Sequence, residues 1–223
     1  MRYKFKDFIP NKNQQEAIMH PLAPLMILAS AGTGKTATII YRIVHMVTNK
    51  NIDPSSILTI TYTEKAAQEL KDRIKMLIDI DNNSINVTTF HGLCLKIVRE
   101  FGQKKNDYAL IKNDELAYKI LEKFDDLGPF KSREFKKNPL QAITQSFLPF
   151  LDRLHDELLT LDGVPKRQLI YDEEEMNYQL EDLIRFYPIV QDMKKSANRL
   201  DYGDMILSAH QLLSSNDNIL SKV

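Results

Sequence analysis

The chain has a single cysteine, Cys94, in 223 residues. One thiol excludes an internal disulfide framework and any four-thiolate metal site. No apolar run approaches the length needed to span a bilayer. The N-terminal stretch MRYKFKDFIP has neither an apolar core nor a small-residue cleavage site, so no signal peptide is expected, and a cytoplasmic protein is the default. The five histidines, at 20, 45, 91, 155 and 210, show no metal-ligand spacing, and no serine-nucleophile motif is present. There is no internal repeat and no low-complexity segment. Cys94 falls within an apolar helical pattern, where a buried, inert thiol is expected. Net charge is absent too, because Lys plus Arg equals Asp plus Glu at 30 each.

The distribution of charge says more than its sum. Residues 1–105 carry 15 basic and 9 acidic side chains, a surplus of six positive charges, whereas 106–199 carry 14 and 18, and 200–223 carry 1 and 3. A mildly basic first half suits a phosphate-bearing partner, and ordinary scatter over solvated faces accounts for it equally well.

What is present is a regular alternation. PLMILAS (24–30) reads as a buried strand. TATIIYRIVHMVTNK (36–50) places Ile39, Ile40, Ile43, Val44 and Val47 on one helical face. ILTITY (57–62) and INVTTF (85–90) are β-branched strands, and EKAAQELKDRIKMLI (64–78) and GLCLKIVREF (92–101) are helices. Strand–helix alternation with short connections predicts an α/β fold with a parallel sheet covered on both faces. Beyond about residue 105 no strand of comparable quality is expected. Helices are predicted over 113–125, 139–161 and 173–198, the last open to a kink at Pro188, and over 200–213. This pattern suggests an all-helical unit inserted into the α/β domain, with the last helix returning to it.

Between the first predicted strand and helix lies ASAGTGKT (29–36). It matches the phosphate-loop pattern G-x-x-x-x-G-K-[ST] at Gly34, Lys35 and Thr36 and departs from it at Ala29, where a small residue at a strand end suffices. Within a nucleotide-binding loop of Ala29, Ser30, Ala31, Gly32, Thr33, Gly34, Lys35 and Thr36, the backbone N–H groups of Gly32, Thr33, Gly34 and Lys35 would wrap the phosphates, aided by the positive end of the following helix. Lys35 would reach the β- and γ-phosphates of ATP, and Thr36 would ligate Mg²⁺ through its hydroxyl.

The flanking segments narrow the reading. PNKNQQEAI (10–18) resembles the Q motif, L-N-x-x-Q-x-x-A, of the UvrD/Rep/PcrA family of superfamily 1 DNA helicases, with Pro10 in place of Leu. TYTEKAAQELKDRI (61–74) resembles that family's T-F-T-N-K-A-A motif, with Tyr62 for Phe and Glu64 for Asn, and TTFHGLCLKIVRE (88–100) its T-F-H-S motif, with Gly92 for Ser. DYGDMI (201–206) is similar to its D-F-D-D-L-[IL] segment, with Gly203 at the third position, and Ala37 stands where the family often has Arg.

The resemblance implies a RecA-like P-loop NTPase sheet flanked by helices. Its ATP-binding subdomain 1A would comprise 1–105 and 200–223, interrupted by the helical subdomain 1B over 106–199. It implies that Gln14 reads the adenine edge with its carboxamide. It places single-stranded DNA along Thr61, Tyr62, Thr89 and His91, with Tyr62 stacking on a base. Glu64 puts a negative charge where the family has an amide. The basic run KSREFKK (131–137) offers either duplex DNA contacts or a solvated charge run.

The family's motif II, an apolar strand ending in D-E-x-Q-D, supplies an Asp for Mg²⁺ and a Glu that orients water. QLIYDEEE (168–175) imitates it, but precedes the D-Y-G-D segment instead of following it, so Asp172 and Glu173 are read as part of a charged first turn of a helix. The expectation is therefore the N-terminal part of an ATP-dependent 3′-to-5′ DNA helicase that binds ATP, Mg²⁺ and DNA, lacks turnover by itself and needs the remaining helicase subdomains. A stand-alone binding module and the N-terminal part of a related helicase–nuclease are the alternatives.

Overall fold

The computed structural model describes residues 8–78, 85–102, 108–159, 161 and 174–223. They form two compact units, Met1–Gly92 and Leu93–Val223.

In the first unit, helix α1 (Lys12–Met19) starts at a capping box in which the Asn11 side chain accepts from Gln14 N–H and the Gln14 side chain accepts from Asn11 N–H. Helix α2 (Lys35–Lys50) begins at Gly34, strand β1 is Leu58–Thr61, helix α3 is Glu64–Leu77 and strand β2 is Asn86–Thr89. The strands pair in parallel, Leu58 opposite Asn86 through Thr61 opposite Thr89. The α2 stripe (Ile40, Ile43, Val44) packs with Leu70 and Ile74 of α3 and with Ile78 and Ile85. Burying such stripes, at about 25 cal/mol per Å² of apolar surface, is what holds the unit together.

Two expectations fail here. PLMILAS is not a strand; Met26 is 79% and Leu28 87% exposed. Nor is the sheet covered on both faces, since Leu58 and Ile60 are both more than two-fifths exposed. A strand needs a neighbour for its N–H and C=O groups. Among the described residues this sheet consists of β1 and β2 alone, and no strand is paired with 24–30.

Helix α4 (Phe90–Phe101) contains the boundary between the units. The second unit continues with strand β3 (Ala109–Leu110) and helices α5 (Asn113–Glu122), α6 (Phe124–Leu127), α7 (Arg133–Lys137) and α8 (Pro139–Ala142). A π-helical turn at Ile143–Phe147 leads into helix α9 (Leu148–Asp156). Helix α10 (Glu174–Ser196) runs through Pro188, strand β4 is Arg199–Leu200, and helices α11 (Tyr202–Ser215) and α12 (Asp217–Leu220) follow. The stretch expected to be wholly helical thus carries one short parallel bridge, Ala109 opposite Arg199 and Leu110 opposite Leu200. Two residues per strand are too few to leave an alternating pattern in the sequence. One core is drawn from α5 to α10, with Phe135, Phe147 and Phe186 fully buried in it. A separate core joins Cys94, Ile97 and Val98 of α4 to Met205 and Ala209 of α11. Burial raises the Cys94 thiol pKa, as an inert thiol requires.

Candidate functional site

The loop before α2 is shaped by two left-handed residues, Gly32 (φ 77°) and Gly34 (φ 85°). At Gly34 the constraint is double, because a Cβ there would also sit 3.1 Å from Gln14 Nε2. Helix α2 has no side-chain cap at its N-terminus, so its first N–H groups are left to the loop and to whatever binds there. The loop is exposed from Ala29 to Thr33, Gly34 and Lys35 are half-buried, and Thr36 is exposed in the first helical turn.

Lys35 folds back over this loop. Its Nζ donates to the carbonyls of Ala29 (2.7 Å) and Ser30 (2.6 Å), and Thr33 Oγ1 donates to Ser30 O at 2.8 Å. An ammonium resting on backbone carbonyls is already positioned on the loop and can exchange these neutral acceptors for anionic ones, which form the stronger bonds. Gln14 reaches the same loop, its Nε2 donating to Thr33 O at 2.9 Å. The ring of Phe8 stacks on Tyr41 with centroids 5.1 Å apart.

Some residues here escaped the sequence reading. Asn11 was legible in principle, since Asn three residues before Gln is capping-box spacing. Arg42 had no local signal. Its guanidinium donates to Ala17 O (2.9 Å), His20 O (2.8 Å) and Pro21 O (3.0 Å), the carbonyls at the end of α1.

The residues assigned to DNA by resemblance lie around the C-terminal ends of β1 and β2. Tyr62 is 97% exposed and is therefore no core aromatic. Thr61 and His91 are half-buried, and the His91 ring meets Phe90 edge-on. Thr89 is buried: its hydroxyl donates to Glu64 at 2.6 Å and accepts from Gly92 N–H at 3.0 Å. The two departures from the family motifs, Glu64 and Gly92, therefore meet on one hydroxyl. A Cβ at Gly92 would lie 2.5 Å from Thr88 Oγ1, so the family's serine would need that side chain to turn away.

In the basic run 131–137, Lys131 pairs with Glu181, and the buried Asp182 accepts from the Lys131 and Ser132 N–H groups. Part of that positive charge is thus answered within the chain. Glu174 and Glu175 are in the first turn of α10, whereas Asp172 and Glu173 lie outside the described residues.

A buried cluster joins α9, α10 and the start of α11. Lys194 Nζ is 2.6 Å from a carboxylate oxygen of both Asp201 and Asp204, and the His155 nitrogens stand 3.6 and 3.5 Å from the other oxygens. The histidine and the two carboxylates are close enough to share one ion. Lys194 already supplies the cation, however, and a divalent ion beside it would leave the buried group with excess positive charge. Burial resists the charge on Asp201, but Lys194 and the Asp204 N–H hold its pKa below the usual carboxylate range. Burial, with repulsion from Asp201, pushes Asp204 up against the pull of Lys194.

Comparison with known proteins gives a match over residues 10–223 to the UvrD/REP helicase N-terminal domain. Similar relatives include a probable DNA helicase II homolog of Rickettsia conorii, 29% identical over 96% of this chain and 32% of its own length. The ATP-dependent DNA helicase Rep of Buchnera aphidicola is 32% identical over 92% of this chain and 28% of its own. The ATP-dependent DNA helicase PcrA of Staphylococcus aureus is 28% identical over 91% and 26%. The chain spans about a third or less of the length of these relatives.

Proposed function

We propose, from the premise that this chain belongs to the UvrD/REP helicase N-terminal domain family, that it is the ATP-gripping and single-strand-contacting part of an ATP-dependent 3′-to-5′ DNA helicase. The observation that carries the proposal is the loop: Lys35 rests on the carbonyls of Ala29 and Ser30, ahead of a helix whose first N–H groups have no side-chain cap.

In this reading the backbone N–H groups of Gly32, Thr33, Gly34 and Lys35 wrap the triphosphate and the Lys35 ammonium neutralises the β- and γ-phosphates. Gln14 holds the adenine edge. The exposed Thr36 hydroxyl beside Lys35 is the hard oxygen donor that Mg²⁺ takes. When bound with ATP, Mg²⁺ neutralises charge developing between the β- and γ-phosphates. Thr61, Tyr62 and His91 line the DNA path. Tyr62 makes the direct base contact, and the buried Thr89, tied to Glu64, shapes the strand end behind it.

We read residues 1–105 and 200–223 as subdomain 1A and 106–199 as the inserted subdomain 1B. What supports this division is that the core shared by α4 and α11 is separate from that of α5 to α10, although the compact unit Leu93–Val223 contains both. The exposed faces at Leu28, Leu58 and Ile60 suit further strands contributed by the rest of a longer helicase, whose remaining subdomains are then the chain's partners. Duplex DNA is assigned to the same parent.

Titration with Mg-ATP tests the proposal. Lys35→Ala, which removes the one side chain meeting phosphate charge directly, is expected to abolish measurable affinity with the fold retained by circular dichroism. Equal affinity in parent and variant would overturn the loop assignment.

A further inference from the structure

We infer that Arg42 is a positioning residue for base selectivity in the nucleotide site: it clamps the end of α1 and so holds the Gln14 carboxamide in the one orientation that suits adenine. The inference rests on the proposed ATP-binding reading and deepens it.

The Gln14 carboxamide is held at both ends. Its Oε1 accepts from Asn11 N–H at 2.9 Å and its Nε2 donates to Thr33 O at 2.9 Å. Turning the amide over would set its NH₂ against the Asn11 N–H and its oxygen against the Thr33 carbonyl, two repulsive contacts in place of two bonds. Each end retains capacity, since an amide oxygen accepts twice and an NH₂ donates twice. What the side chain can still offer a ligand is an acceptor beside a donor, in fixed order. Adenine presents an N6 donor beside the N7 acceptor and matches that order. Guanine presents O6 and N7, both acceptors, and sets an oxygen against Oε1.

This discrimination works only while α1 stays in register with the loop. At its N-terminal end α1 is tied to the loop through Gln14 and Thr33. At its C-terminal end the tie is Arg42, two helical turns beyond Lys35 on α2. Its planar fork donates to three carbonyls, those of Ala17, His20 and Pro21, at 2.8 to 3.0 Å. These are acceptors at the negative end of a helix, where a cation is favoured. A lysine there would bring charge and three donors but not the planar, pre-organised fork. The clamp sits on the same helix that opens at Lys35, so it couples the end of α1 to the element that carries the phosphate loop.

The test is a double-mutant cycle on the full 223-residue chain, with Arg42→Ala, Arg42→Lys, Gln14→Ala and Arg42→Ala/Gln14→Ala titrated with Mg-ATP, Mg-GTP and inorganic tripolyphosphate. A good bidentate base contact is worth roughly five- to 150-fold in discrimination. Arg42→Ala is expected to lose most of the ATP-over-GTP preference while tripolyphosphate affinity stays within about twofold, and Arg42→Lys to fall between it and the parent. On the Gln14→Ala background, Arg42→Ala should change the ratio no further, because the clamp acts through that amide. An unchanged ratio in Arg42→Ala, a parallel fall for ATP and tripolyphosphate, or additive effects in the double variant would each overturn the inference. Failure of the underlying reading looks different: a parent chain that binds no ATP, or binds it equally with Lys35→Ala. Should Arg42→Ala unfold, as judged by circular dichroism, Arg42→Lys alone decides through the same ratio.

Discussion

Two side chains carry predictions of their own. Tyr62 lies at the C-terminal end of β1 and is almost wholly exposed, so its ring contributes nothing to the core. Tyr62→Ala should leave unfolding within about 0.5 kcal/mol of the parent. It should weaken single-stranded DNA binding by about 1–3 kcal/mol if a base stacks there. Fluorescence anisotropy with a labelled oligonucleotide at several salt concentrations measures this, and unchanged affinity at every salt would remove Tyr62 from the DNA path. Gly203 is the opposite case, a residue defined by what it leaves empty. A Cβ there would lie 2.0 Å from His155 Nδ1 and 2.6 Å from His155 Cβ. Gly203→Ala should therefore destabilise by at least about 1–3 kcal/mol, the usual range for overpacking. His155→Ala in the same chain should relieve the part of that loss due to the imidazole ring, while its own Cβ, 2.6 Å away, keeps the rest. Urea melts of the two single variants and the double decide it, and additive losses would refute the steric account.

Between elements, the most consequential contact in the second unit is the charged join of α9, α10 and α11. Asp201 caps α11 in a capping box with Asp204. Lys194 of α10 then draws both carboxylates into the interior. One ammonium faces two carboxylates, and the raised pKa of Asp204 marks it as the group that carries the surplus negative charge. A pKa raised on folding gives a stability contribution fully present below the unfolded value, near 3.8, and lost as pH rises through the folded one. Asp201 has the reverse sign: its lowered pKa stabilises above 3.8, and that contribution is lost as pH falls through the folded value. Asp204→Asn should accordingly gain stability relative to the parent as pH rises above about 4. Urea unfolding from pH 4 to 8 follows the difference, and parallel curves for the two chains would exclude Asp204 as the titrating group.

At the scale of the whole chain the question is turnover. Phosphoryl transfer needs several groups to act together: loop, metal ligand, water-orienting acid and arginine finger. The loop supplies Lys35, Thr36 and the backbone cradle, and the one sequence that imitates the acidic motif stands in the wrong order along the chain. Residues 1–223 are therefore expected to bind ATP and release phosphate far below a helicase-like rate, since arginine fingers alone are worth roughly 10³ to 10⁵. A phosphate-release assay with single-stranded DNA, against a chain extended to the length of the relatives, measures this. Robust DNA-stimulated release from 1–223 that disappears in Asp172→Ala would reverse both the expectation and the reading of Asp172.

Local information sufficed wherever a physical constraint acts within a few residues. The stripe of α2, the glycines before Lys35, the β-branched runs at 58–61 and 86–89 and the Asp201 cap all depend on near neighbours, and each left its pattern in the sequence. PLMILAS has the apolar content of a strand, yet strand formation depends on a partner's hydrogen bonds, and no run of side chains records whether that partner is present. The bridge at 109–110 and 199–200, the meeting of Glu64, Thr89 and Gly92, and the enclosure of Lys194 by two aspartates likewise join residues distant in the chain. Arg42 shows the division most plainly: its place on α2 follows from helical periodicity, but its three carbonyl partners lie 21 to 25 residues away, where only the tertiary fold, burying α1 against α2, could bring them.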